Sequence, residues 1–147
     1  MRLFRVSLGL TICSCLLLAL MACGAASQPR SPEAVVRAAI EAIDKGQGEK
    51  AAGLFAEDSE LVTAFGQPKG KQEIRDFIVV NVVKMKTRAK SKDLQSNGET
   101  VTGTFALTNA ALVDEFAPKP VPPFFLKALI QGGKIKYMEW STSPIQH

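Results

Sequence analysis

The residue best placed for covalent chemistry is Cys23. It follows an apolar stretch from Val6 to Met21 that contains no charged residue, and Arg2 and Arg5 make the segment before that stretch basic. A cysteine sulfur acts as a nucleophile through its thiolate. A basic and then apolar leader that ends at a small residue is typical of a signal peptide, because such leaders are cut at small residues, and here Cys23 follows that residue.

The sequence Leu20-Met21-Ala22-Cys23 resembles a bacterial lipobox. The resemblance implies a diacylglycerol thioether at Cys23, with a signal peptide at 1–22, a lipidated tether at 23–31 and a domain at 32–147. Two or more acyl chains, palmitate among them, hold a protein firmly on a membrane. We therefore expect a lipoprotein of the bacterial cell envelope, extracytoplasmic and on the outer membrane if the cell is Gram-negative. A single transmembrane anchor and an ordinary secretory signal cut near Ala22 or Ala26 remain the alternatives.

Few nucleophiles or metal ligands remain after the leader. Cys13 and Cys15 lie within the signal, and the single histidine is His147. A zinc site, a cysteine nucleophile and a Ser-His-Asp triad are therefore not expected. We expect no metal and no cofactor, and we expect Asp114 and Glu115 to be solvated carboxylates without chemistry.

Charge argues against nucleic-acid binding. Of the 18 basic residues, 16 remain once Arg2 and Arg5 leave with the signal, against 14 acidic ones, so the mature charge is only about +2. The sequence pI of 9.1 overstates how basic the mature protein is. The remaining chain of about 125 residues suits one domain with a real core.

Helices are predicted first along the chain. Ser31 can cap a helix whose first turn holds Pro32, apolar residues follow at helical spacing, and the helix ends near Lys45-Gly46. Further helical segments are predicted over Glu49–Phe55 and Gln72–Val83.

Strands dominate the second half. The predicted strands are Ser59–Phe65, a segment of alternating apolar and threonine residues over 101–108, Phe124–Ile130 and Ile135–Thr142. The last two are joined by the hairpin signal Gly132-Gly133. The four prolines of 117–123 exclude a central strand there. This order predicts an α+β domain with three N-terminal helices packed on a curved, mostly antiparallel sheet.

Five segments carry a family resemblance. They are Val35-Val36-Arg37, Ile43-Asp44-Lys45-Gly46, Leu54-Phe55-Ala56-Glu57-Asp58, Gly70-Lys71-Gln72-Glu73-Ile74-Arg75-Asp76-Phe77 and Gly132-Gly133-Lys134-Ile135. Together they resemble the nuclear-transport-factor-2-like superfamily, in its SnoaL-like and ketosteroid-isomerase-like branch. The resemblance implies a cone-shaped fold around an apolar pocket, often dimeric through the sheet. Such a fold hosts enzymes and non-enzymes alike.

The resemblance also allows the residues needed for isomerase catalysis to be compared with those of this sequence. Isomerase chemistry needs a carboxylate base and acidic donors facing an oxyanion. The matching positions carry Ala39, Thr63 and Phe125, which supply none of these groups. SnoaL-type cyclases use a His/Asp arrangement, and the single terminal histidine does not supply it. We therefore assign no catalytic residue.

The resemblance implies a ligand pocket lined by Thr63, Phe65, Phe105, Met138 and Trp140. Plain core packing of these residues is the alternative. The indole N–H of Trp140, if buried, needs a partner that a ligand can supply. The neighbours Tyr137 and Glu139 take the opposite parity and are expected on the outer face, exposed or at a dimer contact.

The expected function is a non-catalytic, membrane-anchored domain that binds an apolar small molecule or an envelope partner. Two alternatives stay open. A SnoaL-like polyketide cyclase or isomerase-type enzyme would place a buried carboxylate, such as Asp76 or Glu139, in the pocket. A structural or protein-interaction module would fill the pocket with its own side chains, with Trp140 packed on Phe105.

A basic run alternates with small or apolar residues: Lys84, Lys86, Arg88, Lys90 and Lys92. In a strand, these residues would share one face. That face is interpreted either as attracted to anionic lipid headgroups or as a solvated edge that prevents unwanted strand pairing; the second interpretation is favoured.

Overall fold

A computed structural model describes residues 30–145, which form helices around a five-stranded mixed sheet. In chain order the elements are α1 (Pro32–Asp44), α2 (Gly48–Ala52), β1 (Phe55–Val62), α3 (Gly70–Ile78), a π-helical segment (Val79–Lys84), β2 (Arg88–Asn97), β3 (Thr100–Thr108), α4 (Ala110–Phe116), β4 (Phe124–Gln131) and β5 (Lys134–Ser141). The signal, Cys23 and His147 lie outside the described residues. Within 30–145, no helix combines the length and apolar character needed to cross a bilayer.

Helix α1 begins and ends where the sequence predicts. The Ser31 hydroxyl accepts a hydrogen bond from the Ala34 N–H (3.3 Å), and Pro32 occupies the first turn, where a missing N–H costs nothing. Its buried residues face the sheet and are Val35, Val36, Ala39, Ile40, Ala42 and Ile43. Helix α1 packs mainly on β2, and α3 packs on β1.

The sheet has the strand order β1-β5-β4-β3-β2. Strands β2 to β5 pair antiparallel, whereas β1 runs parallel to β5, with Leu61 opposite Met138. Gly132 and Gly133 have φ values of 56° and 72°, the left-handed conformation that the tight β4–β5 turn requires. The α+β class and the mostly antiparallel sheet therefore agree with the sequence prediction.

A bulge bends the outer strand β2 where it crosses β3. The β2–β3 register shifts between Lys92 and Gln95, and Asp93 takes a φ of 53°. Gly103 faces this bulge, and a Cβ added there would lie 2.9 Å from the Asp93 carbonyl oxygen. The glycine lets the two backbones approach, and the bulge increases the local twist of the sheet.

Strand β1 starts earlier than predicted. The structure ends α2 at Ala52 and begins β1 at Phe55, so the prediction of a helix to Phe55 and of a strand from Ser59 to Phe65 is wrong at both boundaries. The β1–β5 register shifts between Phe55 and Glu60, which breaks the alternation of buried and exposed residues. That irregularity hides the first half of the strand from a period-two pattern.

The segment after α3 also differs from the prediction. The predicted helix over Gln72–Val83 changes to π-helical geometry at Val79, and Lys86 has a φ of 49° in the turn before β2. Lys84 and Lys86 therefore precede the strand, and the five basic residues do not share one strand face. Helix α4 was not predicted, because seven residues are too few to show helical periodicity.

Candidate functional site

A cavity of about 150 Å³ opens at the end of the sheet where β1, β3 and β5 finish. It lies between α1, the α3–π segment, α4 and the last residues of β5. Its walls are largely apolar and consist of Ile43, Phe65, Phe77, Ile78, Asn81, Val82, Met85, Thr87, Leu107, Asn109, Ala111, Leu112, Glu115 and Trp140. An apolar cavity of this volume has room for a ring of about benzene size.

Two of the five residues expected in the pocket, Phe65 and Trp140, lie on its wall. Phe105 and Met138 are each 1% exposed and belong to the core. The Thr63 hydroxyl donates to the Gly66 carbonyl (3.0 Å) and accepts from the Phe65 N–H (3.1 Å), so it shapes the turn after β1. The structure therefore brings together Phe65 and Trp140 at the cavity and not the other three residues.

Trp140 carries an unused hydrogen-bond donor. Its indole Nε1 is buried and has no partner among the described residues. The ring stands edge-on to Phe105, with centroids 5.3 Å apart. A buried donor without a partner costs roughly 1–3 kcal/mol, so an acceptor that reached Nε1 would relieve that cost.

Three other polar residues of the wall, Asn81, Thr87 and Asn109, are joined by hydrogen bonds. The Thr87 hydroxyl donates to the Asn81 carbonyl, and the Asn109 amide donates to the Thr87 hydroxyl (3.2 Å). The Asn109 side-chain oxygen accepts from the Leu112 N–H (2.9 Å) and caps α4. This chain of bonds ties the turn before β2 to α4 and fixes one side of the cavity mouth.

One carboxylate lies on the cavity wall, that of Glu115, an exposed residue of α4. The carboxylates considered for an enzyme lie elsewhere. Asp76 accepts from Gln72 and Arg75 at the surface. Glu139 accepts from the Tyr137 hydroxyl (2.9 Å), and desolvation together with this bond raises the pKa of Tyr137 to about 12.

The positions matched to isomerase residues do not surround the cavity. Ala39 is a buried core residue of α1. Phe125 is half-buried on β4 and pairs with Ser141 of β5. With Thr63 in its turn, none of the three lines the cavity wall.

Sequence reasoning missed the part of the wall that lies between 77 and 87 and in α4. The apolar spacing of Phe77, Ile78 and Val82 predicts a packed helix face, which is correct. That spacing does not distinguish residues packed in the core from residues that line a cavity. Glu115 was interpreted as solvated, and its position depends on α4, which the sequence did not reveal. Within 30–145, no three His, Cys, Asp or Glu residues cluster as a metal site would require.

Comparison with solved structures shows the fold. An NTF2-like protein of unknown function from Cytophaga hutchinsonii aligns with a TM-score of 0.61 at 13% identity, over 76% of this chain and 88% of that one. A candidate polyketide cyclase from Sinorhizobium meliloti aligns with a TM-score of 0.62 at 16% identity, over 73% and 93%.

A third solved structure adds a bound molecule. A protein with a ketosteroid isomerase-like fold from Catenulispora acidiphila, in complex with trimethylamine, aligns with a TM-score of 0.61 at 19% identity, over 73% of this chain and 83% of that one. No protein-family model and no curated protein matches the sequence. The chain thus has an NTF2-like fold, and at these identities the likeness extends to the fold alone.

Proposed function

We propose that the protein is a lipid-anchored, extracytoplasmic domain that binds a small apolar molecule in the mouth cavity without catalysing a reaction. The proposal rests on two observations: Trp140 lines an apolar cavity, and its buried indole N–H has no hydrogen-bond partner among residues 30–145. Such a donor favours a ligand with one hydrogen-bond acceptor on an otherwise apolar body, because apolar burial supplies affinity and the acceptor supplies orientation.

The lipid anchor is the second part of the proposal. It rests on the lipobox-like sequence that ends at Cys23. The same hypothesis makes two further predictions. One is that an envelope protein occupies the cavity mouth in place of the small molecule. The other is that the chain forms a homodimer through the outer face of the sheet.

The test uses the single tryptophan of the chain. One indole N–H gives one resonance in a nitrogen–proton correlation spectrum. Cyclohexanone and methylcyclohexane have similar size, and only the ketone has an acceptor. We expect the ketone to shift the Trp140 indole proton downfield, because only the ketone can accept a hydrogen bond from it.

The matched variant is Trp140→Phe, which keeps an aromatic ring and removes the donor. We expect it to bind cyclohexanone about 2- to 10-fold more weakly than the parent does, since a net hydrogen bond contributes about 0.5–1.5 kcal/mol. Its affinity for methylcyclohexane should equal that of the parent, read from the methyl resonances of Met85 and Leu112 at the wall. If neither probe shifts any wall resonance of the parent protein, the cavity is not a ligand site. The contact of Trp140 with Phe105 would then indicate the structural module.

Glu115 supports one other candidate, an isomerase-type enzyme. A carboxylate beside an apolar cavity is able to remove a proton next to a carbonyl. When cyclohexanone is mixed with the protein in deuterium oxide, this chemistry would exchange the hydrogens next to the ketone carbonyl for deuterium. Exchange faster than in buffer, lost in Glu115→Gln, would contradict the non-catalytic proposal.

A further inference from the structure

Five large apolar side chains are exposed within 30–145, and all belong to segments that form the cavity mouth. Phe65, 52% exposed, and Met85, 37% exposed, line the mouth itself. Val80 and Val83 lie in the π-helical segment that supplies two wall residues, and Val113 lies in α4 beside another. Exposed apolar residues that gather at one place mark an interaction surface, whereas scattered ones need no explanation.

Two lysines stand among these residues. Lys84 ends the π-helical segment and Lys86 lies in the turn that follows. Both are exposed, and neither forms an ion pair with any acidic residue of 30–145, whereas Arg88 pairs with Asp44 at 3.5 Å. We call Val80, Val83, Lys84, Met85 and Lys86 the mouth patch.

We propose that the mouth patch docks on an anionic lipid bilayer, so that the cavity opens towards the membrane. Interfacial segments combine apolar side chains that enter the headgroup region with lysines that meet anionic headgroups. The mouth patch has both within seven residues. The acidic residues Asp114 and Glu115 lie on α4, outside the mouth patch, so attraction to an anionic surface acts through the mouth patch.

A second copy of the chain fits the mouth patch less well. A two-fold contact places the same surface of both copies together. Centred on the mouth patch, such a contact would set Lys84 and Lys86 against their own copies. Like charges that face one another in an interface oppose association. The charge of the mouth patch therefore favours an anionic bilayer.

The tether permits this orientation. The end of α1 lies beside the start of β2, where the Ala89 N–H donates to the Asp44 carboxylate (3.2 Å). Because α1 packs along β2, its start lies towards the β2–β3 hairpin, at the end of the domain away from the cavity. The 13 residues of α1 span about 20 Å. The segment from Cys23 to Ser31 reaches about 27 Å when extended. A chain anchored at Cys23 is long enough to run past α1 and let the mouth face the bilayer.

The experiment uses the full chain in vesicles that contain brominated phosphatidylcholine with or without phosphatidylglycerol. Val83→Trp adds a probe in the mouth patch, and Asn97→Trp adds a matched probe in the exposed β2–β3 hairpin at the opposite end. The emission of native Trp140 is subtracted with the parent chain. We expect bromine to quench the probe at 83 in the anionic vesicles and to spare the probe at 97.

Charge is tested by Lys84→Gln with Lys86→Gln in the Val83→Trp chain. Each lysine near an anionic surface contributes about 1 kcal/mol, so the ratio of docked to undocked domain should fall roughly 20- to 30-fold. Lys50→Gln with Lys127→Gln removes the same charge from other faces and should leave quenching at 83 unchanged.

Several results would overturn the proposal. They are equal quenching at 83 with and without phosphatidylglycerol, quenching at 97 in place of 83, and no quenching at either probe. A concentration-dependent blue shift of the probe at 83 without lipid would assign the mouth patch to a second copy. Docking is read at residue 83 and ligand binding at Trp140 in the parent chain, so the two proposals fail separately.

Discussion

A tryptophan on a cavity wall combines a large apolar surface with one donor that needs a partner. The apolar ring of Trp140 packs edge-on against Phe105, whereas its N–H donor has no hydrogen-bond partner among residues 30–145. A residue kept only for packing would serve equally well as phenylalanine, without the cost of a buried N–H. That unused donor is therefore the strongest chemical constraint on the ligand that we propose for the cavity.

Thr87 allows a stability prediction at the cavity mouth. It is 4% exposed and bonds both the Asn81 carbonyl and the Asn109 amide. Thr87→Val keeps the shape but leaves both groups without this partner, so the free energy of unfolding should fall by about 1–3 kcal/mol in urea denaturation. Thr104→Val is the control, because its hydroxyl makes one long bond (3.4 Å) to the Lys92 carbonyl at the surface; an equal loss in both variants would contradict this role of Thr87.

The sequence located the site only in part, for reasons visible at single residues. Trp140 and Phe65 are large aromatic residues near strand ends, and that type and position suffice to predict a place near an apolar cavity. Phe105 and Met138 are also large apolar residues on strands, yet both lie in the core. The sequence does not distinguish a core position from a cavity position a few residues further along a strand. The position of Glu115 on the cavity wall depends on α4, a helix too short to show a periodic pattern in the sequence.

At the level of elements, regular patterns were predictable and irregular ones were not. Helix α1 has a cap, a proline and an apolar stripe that all agree, and its bounds were predicted correctly. Strand β1 has a register shift, and the end of the third helix changes to π geometry. Both irregularities lie at the cavity wall. Strand β1 is followed by Phe65, and the π-helical segment itself contains Asn81 and Val82.

The bulge in β2 gives a prediction at this scale. Gly103→Ala would place a Cβ 2.8 Å from the Leu94 side chain and 2.9 Å from the Asp93 carbonyl oxygen. The backbone oxygen has no room to move without disturbing the bulge, so we expect a loss of about 1–3 kcal/mol in the free energy of unfolding.

Gly66→Ala is the comparison for that substitution. Its added Cβ would approach the Phe77 ring no closer than 3.4 Å, an ordinary contact. Chemical denaturation of both variants measures the difference. If Gly103→Ala unfolds at the same denaturant concentration as Gly66→Ala, the close approach at the bulge is not a constraint on this sheet.

For the whole molecule, the anchor prediction is checked by intact mass. We expect the protein extracted from membranes to carry a diacylglycerol at Cys23 and to lack residues 1–22. Cys23→Ser should lose the added mass and keep the leader, because processing of this kind requires the thioether. An unmodified Cys23 in the membrane-extracted protein would instead support the transmembrane or ordinary secretory alternative.

The parallel pairing of β1 with β5 bears on how the chain is made. Within 30–145, β1 has β5 as its single neighbour in the sheet, and about 70 residues separate the two strands. Ribosomes deliver β1 long before β5, so its edge stays open while everything between them is synthesised. Contacts between distant segments form slowly, and this domain cannot close its sheet early. The sheet of this domain is therefore completed only when its last strand, β5, has been synthesised.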